Sequence, residues 1–222
     1  MDDTERYLRL CEFISPHKRS LFERLAPLRT AHVTIVLEEL HHPQNASAVL
    51  RTCDLLGVQH IHVVESRNAF TPNKEISLGS EKWLDVHRYA QEDDPLGACV
   101  ERLRKEGRTL VATSPHSNAP TPGTIPLDQP IAFFFGTEMH GLSERAIDLC
   151  DSAVRIPMYG FTESYNLSVS AAIVLYTVTE RLRQQGDAHL LSHAEQEALK
   201  LRWVRSMLPD ADAIEARFRR ER

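Results

Sequence analysis

Apolar positions along the chain alternate between two patterns. Short, nearly unbroken runs occur at 33–37 (VTIVL), 61–64 (IHVV), 109–113 (TLVAT), 131–135 (IAFFF) and 153–156 (AVRI). Brief runs of β-branched or aromatic residues predict strands buried on both faces, as in a parallel sheet. Between them the apolar residues recur at helical spacing. Ala46, Val49, Leu50, Cys53 and Leu56 predict a helix that ends on Gly57, a residue suited to a left-handed C-cap. Pro95–Lys105 reads as a helix with proline in its first turn, 142–149 as a short helix capped by Ser143, and 167–183 as a long one. Tyr7, Leu8, Cys11 and Ile14 mark an N-terminal amphipathic helix that Pro16 interrupts, and Leu21, Leu25 and Leu28 suggest a second. Leu201, Trp203, Val204 and Met207 mark an amphipathic segment near the other end, before the charged tail ARFRRER. Five or six strands alternating with helices predict an α/β fold: a parallel sheet covered by helices on both faces.

Composition narrows the class. A chain of 222 residues with 42% hydrophobic content buries one substantial core and a small additional element. No run of eighteen apolar residues occurs, and the opening MDDTE has neither a basic nor an apolar leader region, so the expectation is a cytoplasmic protein without a membrane span. Cys11, Cys53, Cys99 and Cys150 lie far apart with no Cys-x-x-Cys pair, which fits core residues in a reducing compartment and not a structural zinc site. The net charge is −5, unevenly spread. Residues 1–31 carry +1 and residues 200–222 carry +3, leaving −9 on the middle of the chain. That distribution suits an acidic core whose ends touch a polyanion, and equally two solvated amphipathic helices.

Ligands of open parallel sheets bind at the carboxyl ends of the strands. Those ends carry Thr113-Ser114, Gly136-Thr137-Glu138 and Ile156-Pro157-Met158, and Gly136 permits close backbone approach to a ligand. Ser164 and Asn166 stand at the start of the long helix, where free N–H groups either await a ligand or are simply capped. Asn45 is a plausible cap for the helix after the first strand, and Arg51 lies off its apolar stripe, where it could pair with Asp54. His41-His42 lacks a third ligand at sensible spacing, so no metal is expected. The chain has no Walker loop, no G-x-G-x-x-G and no nucleophile elbow. The residues alone therefore describe an α/β nucleotide-type binder with an Asn–Arg pair near one strand end.

Three stretches resemble, in order, the three motifs of the SpoU/TrmH family of RNA 2′-O-ribose methyltransferases, within the SPOUT superfamily. They are HHPQNASAVLRTCDLLGV with Asn45 and Arg51, IAFFFGTEMHGLSE with Gly136, Glu138 and Gly141, and IPMYGFTESYNLSVSAAIVLY with Pro157, Ser164, Asn166 and Ser168. The resemblance implies an α/β fold whose C-terminal part, about 131–185, forms a deep trefoil knot, an exception to the rule that chains do not thread loops. It implies a methyltransferase domain over 32–185 between helical extensions at 1–31 and 186–222. It also implies S-adenosylmethionine as cofactor, RNA as substrate and an obligate homodimer. Carried over by position, the cofactor contacts are Thr113, Gly136, Ile156, Met158, Tyr165 and Leu167. The residues linked to catalysis or to shaping the site are Arg51, Asn45, Glu138, Ser164 and Asn166, with Glu138 at the dimer interface and no metal required.

Extensions at both ends, and the opening ERYLRLCEFI, are similar to family members that modify guanosine-18 in the D-loop of tRNA. Such members usually carry Leu-Asn-Val where this chain has Tyr165-Asn166-Leu167. Methylation of another tRNA or rRNA position, or a non-catalytic knotted RNA-binding module, are the alternatives. The chemistry implied is in-line attack of a ribose 2′-hydroxyl on a sulfonium methyl, with the protein aligning the two and handling one proton. A guanidinium keeps its proton under nearly all protein conditions. Arg51 therefore either acts as base with help from an RNA phosphate or clamps that phosphate while it relays the proton.

Overall fold

Residues 2–66, 68–115 and 118–220 are described by a computed structural model of the chain. In chain order the elements are α1 (Asp3–Leu10), α2 (Pro16–Leu25), β1 (Val33–Glu38), α3 (Pro43–Leu56), β2 (His60–Val64), α4 (Lys74–Ser77), β3 (Asp85–Tyr89) and α5 (Pro95–Lys105). There follow β4 (Thr109–Thr113), β5 (Ile131–Phe135), α6 (Glu144–Leu149), β6 (Ser152–Val154), α7 (Leu167–Gln184), α8 (His193–Met207) and α9 (Ala211–Arg220). They fall into two units, Ala31–His189 and a second made of Met1–Thr30 with Leu190–Arg222.

In the larger unit the six strands form one sheet in the order β3-β2-β1-β5-β4-β6, every pair parallel. Side chains of a strand alternate between faces, and here both faces are apolar. Val33, Ile35 and Leu37 of β1 share one face with Ile131, Phe133 and Phe135 of β5, under α3 and α7. Val36, Ala132 and Phe134 share the other with Leu96, Cys99 and Leu103 of α5 and Ala146 of α6. The α/β fold expected from the strand–helix alternation is the fold observed. Gly57 ends α3 in the left-handed conformation at φ 76°.

Three local readings need correction. β3 had no counterpart among the named strands, because DVHRY carries charged and aromatic residues on a sheet edge in place of an apolar run. β6 stops at Val154, since the next residues leave β4: the Arg155 backbone N–H donates to the Pro120 carbonyl at 3.1 Å and its Nε to the Ala119 carbonyl at 3.1 Å. Asn45 is no N-cap; α3 begins two residues earlier at Pro43, with His42 in the cap position and making no side-chain cap bond. The proline-rich segment 114–126 (SPHSNAPTPGTIP), of which His116 and Ser117 lie outside the described residues, contributes to the core. Ile125 and the nearby Leu127 are core residues, and Arg181 of α7 donates to the carbonyls of Pro122 and Ile125 at 2.8 and 2.9 Å.

The smaller unit is helical. α1 packs on α8 and α9, burying Tyr7 and Leu10, and the Phe22 and Trp203 rings meet at 5.5 Å. Lys200, buried, sits between Glu23 and Glu197 at 2.7 Å each. Arg6 and Arg205 both reach the buried Glu215. A bridge between Thr30 and Leu190, and a 2.9 Å bond from Leu191 N–H to the Arg29 carbonyl, tie the two ends of this unit's chain together. Of the charged tail ARFRRER, Glu221 and Arg222 lie outside the described residues.

Candidate active site

The carboxyl ends of β4, β5 and β6 open on a cavity of about 400 Å³, within the roughly 300–1,000 Å³ typical of small-molecule sites. Its floor is sheet: Thr113, Phe135 and Val154 are the last or near-last residues of the three strands. Its walls are the loop after β5 and the loop between β6 and α7.

The loop after β5 is closed at its base. Thr137 N–H donates to the Gly141 carbonyl at 2.9 Å and Gly141 N–H returns a bond to the Thr137 carbonyl at 3.0 Å. A Cβ on Gly136 would fall well inside contact distance of the Gly141 carbonyl and the Leu142 amide. Gly136 is thus required by the chain folding back on itself, a different cause from the ligand approach expected of it. Gly141, at φ 68°, makes the return.

Every expected cofactor contact lines this cavity: Thr113, Gly136, Ile156, Met158, Tyr165 and Leu167. The Thr113 hydroxyl is spent on the Phe134 carbonyl at 2.7 Å. Glu138 and Ser164 line it as well. Asn45 and Asn166 stand just behind, in a hydrogen-bonded chain. Asn166 Nδ2 donates to Asn45 Oδ1 at 3.1 Å, and Asn45 Nδ2 donates to Glu138 Oε1 at 2.6 Å. Asn166 is the N-cap of α7: its Oδ1 accepts from the Ser168 N–H at 2.9 Å and the Ser168 hydroxyl at 2.6 Å. The start of α7 is therefore capped by its own side chain, which decides between the two readings of that junction. Glu138 Oε2 is buried and has no hydrogen-bond partner among the described residues.

Arg51 is not gathered into this chain. Six residues past Asn45, it sits about 120° away around α3, is exposed, and makes no hydrogen bond or ion pair with a described residue.

Sequence reasoning missed Glu163, Met139 and His140, which also line the cavity. Nothing but their place inside the recognised stretches marked them. It also missed Glu38, a buried carboxylate at the end of β1. A charge closing the apolar run VTIVL was the available signal. Cys150, partly buried at the end of α6, is pushed up to about 12, first by burial and then by the charges of Asp151 and Glu38, so its thiol stays protonated. No three metal-ligating side chains are grouped to hold an ion among the described residues. No helix among them is long and apolar enough to cross a membrane.

Comparison with known proteins identifies the family. The model of the SpoU rRNA Methylase family matches residues 32–176. A curated relative from Borreliella burgdorferi, named tRNA (guanosine(18)-2′-O)-methyltransferase, is 38% identical over 206 residues, 93% of each chain. The proteins of the same name from Thermus thermophilus and Escherichia coli K12 are 34% and 30% identical, over 76% and 87% of this chain and 85% and 80% of theirs. Among solved structures, the A. aeolicus TrmH/SpoU tRNA modifying enzyme superposes with a TM-score of 0.74 at 25% identity, covering 86% of this chain and 98% of that one. The SpoU methyltransferase AviRb of Streptomyces viridochromogenes, in complex with the cofactor AdoMet, superposes with a TM-score of 0.61 at 28% identity, covering 73% and 62%. The chain belongs to the SpoU methylase family.

Proposed function

We propose that this chain transfers the methyl group of S-adenosylmethionine to the ribose 2′-hydroxyl of guanosine-18 in the D-loop of tRNA, acting as a homodimer in the cytoplasm. The observation that carries the reading is the match to a relative bearing that name over 93% of both chains.

The cavity fits the cofactor. Phe135, Ile156, Met158 and Leu167 offer apolar walls for a purine, while Glu138 and Glu163 offer carboxylates to a cationic ligand. The buried, unpartnered Glu138 Oε2 awaits a donor. When bound, S-adenosylmethionine supplies an electrophilic methyl on a sulfonium. Thr113, Gly136, Ile156, Met158, Tyr165 and Leu167 hold it, and the wall loops keep water from the reacting atoms.

Asn166 and Asn45 fix the orientation of Glu138, and Ser164 shapes the rim. Arg51, exposed and uncommitted, is free to take an RNA phosphate bidentately. As base it first passes a guanidinium proton to that phosphate and then takes the one from the 2′-hydroxyl; as clamp it holds the phosphate while the phosphate itself takes the 2′-hydroxyl proton. The knot over about 131–185, and the boundaries of a 32–185 catalytic domain between two helical extensions, belong to the same reading. So does the homodimer. Leu55 on α3 and Val169 and Tyr176 on α7 are exposed apolar residues of two helices that pack together, and a second copy of the chain covers them.

The test is methyl transfer from labelled S-adenosylmethionine to unmodified tRNA transcripts, with digestion to locate the label. Label at the 2′-oxygen of guanosine-18 is expected. Label elsewhere would move the substrate position, and cofactor binding without transfer to any RNA would make this a binding module.

A further inference from the structure

Glu38 ends the central strand β1, is 6% exposed, and forms no ion pair with a described cation. A buried carboxylate without a cation persists only where its oxygens are taken by hydrogen-bond donors. Both donors here come from one residue. Ser143 N–H donates to Glu38 Oε2 at 2.8 Å, and Ser143 Oγ donates to Oε1 at 2.6 Å. Ser143 Oγ in turn accepts from the Ala146 N–H at 3.1 Å as the N-cap of α6. Its hydroxyl proton must point away from that N–H, and Glu38 takes it.

Ser143 immediately follows the loop that walls the cavity, of which Thr137, Glu138 and Leu142 are lining residues. At the other end of that loop Gly136 abuts the Gly141–Leu142 peptide. We propose that Glu38 is a positioning residue for the methyl-donor site: through Ser143 it anchors the loop 137–142 to the central strand and so sets the shape of the cavity wall. The role in methyl-donor binding rests on the reading of the cavity given above. Glu38 itself does not line the cavity.

Glutamine is the informative replacement, because it keeps the shape but turns one acceptor into a donor. A donor then faces either the Ser143 N–H or its hydroxyl, so one of the two bonds is lost or reversed. The experiment compares the parent with Glu38→Gln, Ser143→Ala and the double variant, all as full-length protein. Two measurements are made: hydrogen exchange of the amides 137–143 without ligand, and the affinity for S-adenosylmethionine alone.

Glu38→Gln is expected to speed exchange of these amides at least tenfold. It should weaken S-adenosylmethionine about tenfold, leave exchange in β2 and α5 unchanged, and leave the KM for tRNA within twofold. Ser143→Ala should act in the same direction, and the double variant should be no worse than the poorer single variant, since both remove the same anchor. Unchanged loop exchange in Glu38→Gln would overturn the anchor. Loss of protection spread evenly through the sheet would overturn it too, leaving Glu38 a fold residue only. A loosened loop with unchanged cofactor affinity would overturn its role in the site. Should the parent fail to bind S-adenosylmethionine, the reading of the cavity falls, and the exchange measurement still decides the anchor.

Discussion

Asn45 and Asn166, 121 positions apart in the sequence, share a 3.1 Å hydrogen bond that joins the first turn of α3 to the cap of α7. Asn45 can make it only because its other amide atom is held by Glu138. The orientation of that one side chain therefore links two helices and the cavity wall.

Replacing Asn45 by Ala removes both bonds and leaves Glu138 with neither oxygen engaged. The expected cost is about 1–2 kcal/mol in stability, and a roughly 10- to 100-fold fall in the methylation rate as Glu138 loses its orientation. Asn166→Ala should behave alike, with the larger loss in stability because a helix cap goes with it. A double-mutant cycle on the rate checks the link: simple additivity of the two losses would show that the asparagines act separately.

Arg51 supports no other part of the described structure, so Arg51→Ala should leave stability within about 0.5 kcal/mol. Its affinity for S-adenosylmethionine should also hold, while the single-turnover rate falls by about 100-fold or more. Equal losses in cofactor affinity and in rate would contradict both versions of its role.

Gly136→Ala places a methyl group against backbone that cannot rotate away. A destabilisation of about 1–3 kcal/mol is expected, with cofactor affinity falling further than global stability accounts for. Thermal unfolding and calorimetric titration on the same sample separate the two effects.

At the edge of the sheet, His60, His62 and His87 lie together. His60 Nδ1 and His87 Nε2 are 3.2 Å apart, and His62 Nδ1 meets the Tyr89 hydroxyl at 2.9 Å. Burial, and then the charge of neighbours such as Arg102, lowers His62 to about 2 and His87 to about 4, from an ordinary 6.5. The unfolded chain thus binds more protons than the folded one below about pH 6.5. Stability should be level above that pH, begin to fall as pH drops through it, and go on falling towards the folded values. Urea unfolding at pH 8, 6.5 and 5 measures this, and His62→Gln should flatten the fall. Equal stability at pH 5 and pH 8 would rule the histidines out as the cause.

Much of the architecture was legible because its core strands announce themselves: Ile131–Phe135 and Thr109–Thr113 were read with the boundaries observed. β3 was illegible for the opposite reason. At an edge, half-exposed residues such as Asp85 and Arg88 carry no apolar signal. The site divides in the same way. The positions that the motifs assign to the cofactor converge on one cavity. The bonds among Asn45, Asn166 and Glu138 could not be read from the sequence, since periodicity says which face a residue lies on and not which side chain it meets across 121 residues. Asn45 was misjudged for that reason, its type being common at helix caps.

The place of β5 bears on how the protein is made. Ile131–Phe135 lies between β1 and β4 and pairs with both, although it is synthesised after them. Until it emerges from the ribosome, β1 and β4 each present an unpaired apolar edge, and a chain interrupted before residue 131 has no means of covering either. Pairing across nearly a hundred residues also carries a high closure entropy. The gap in the middle of the sheet is therefore closed late, by the strand that also brings Gly136 and Glu138 to the site, and only the short edge strand β6 is added after it.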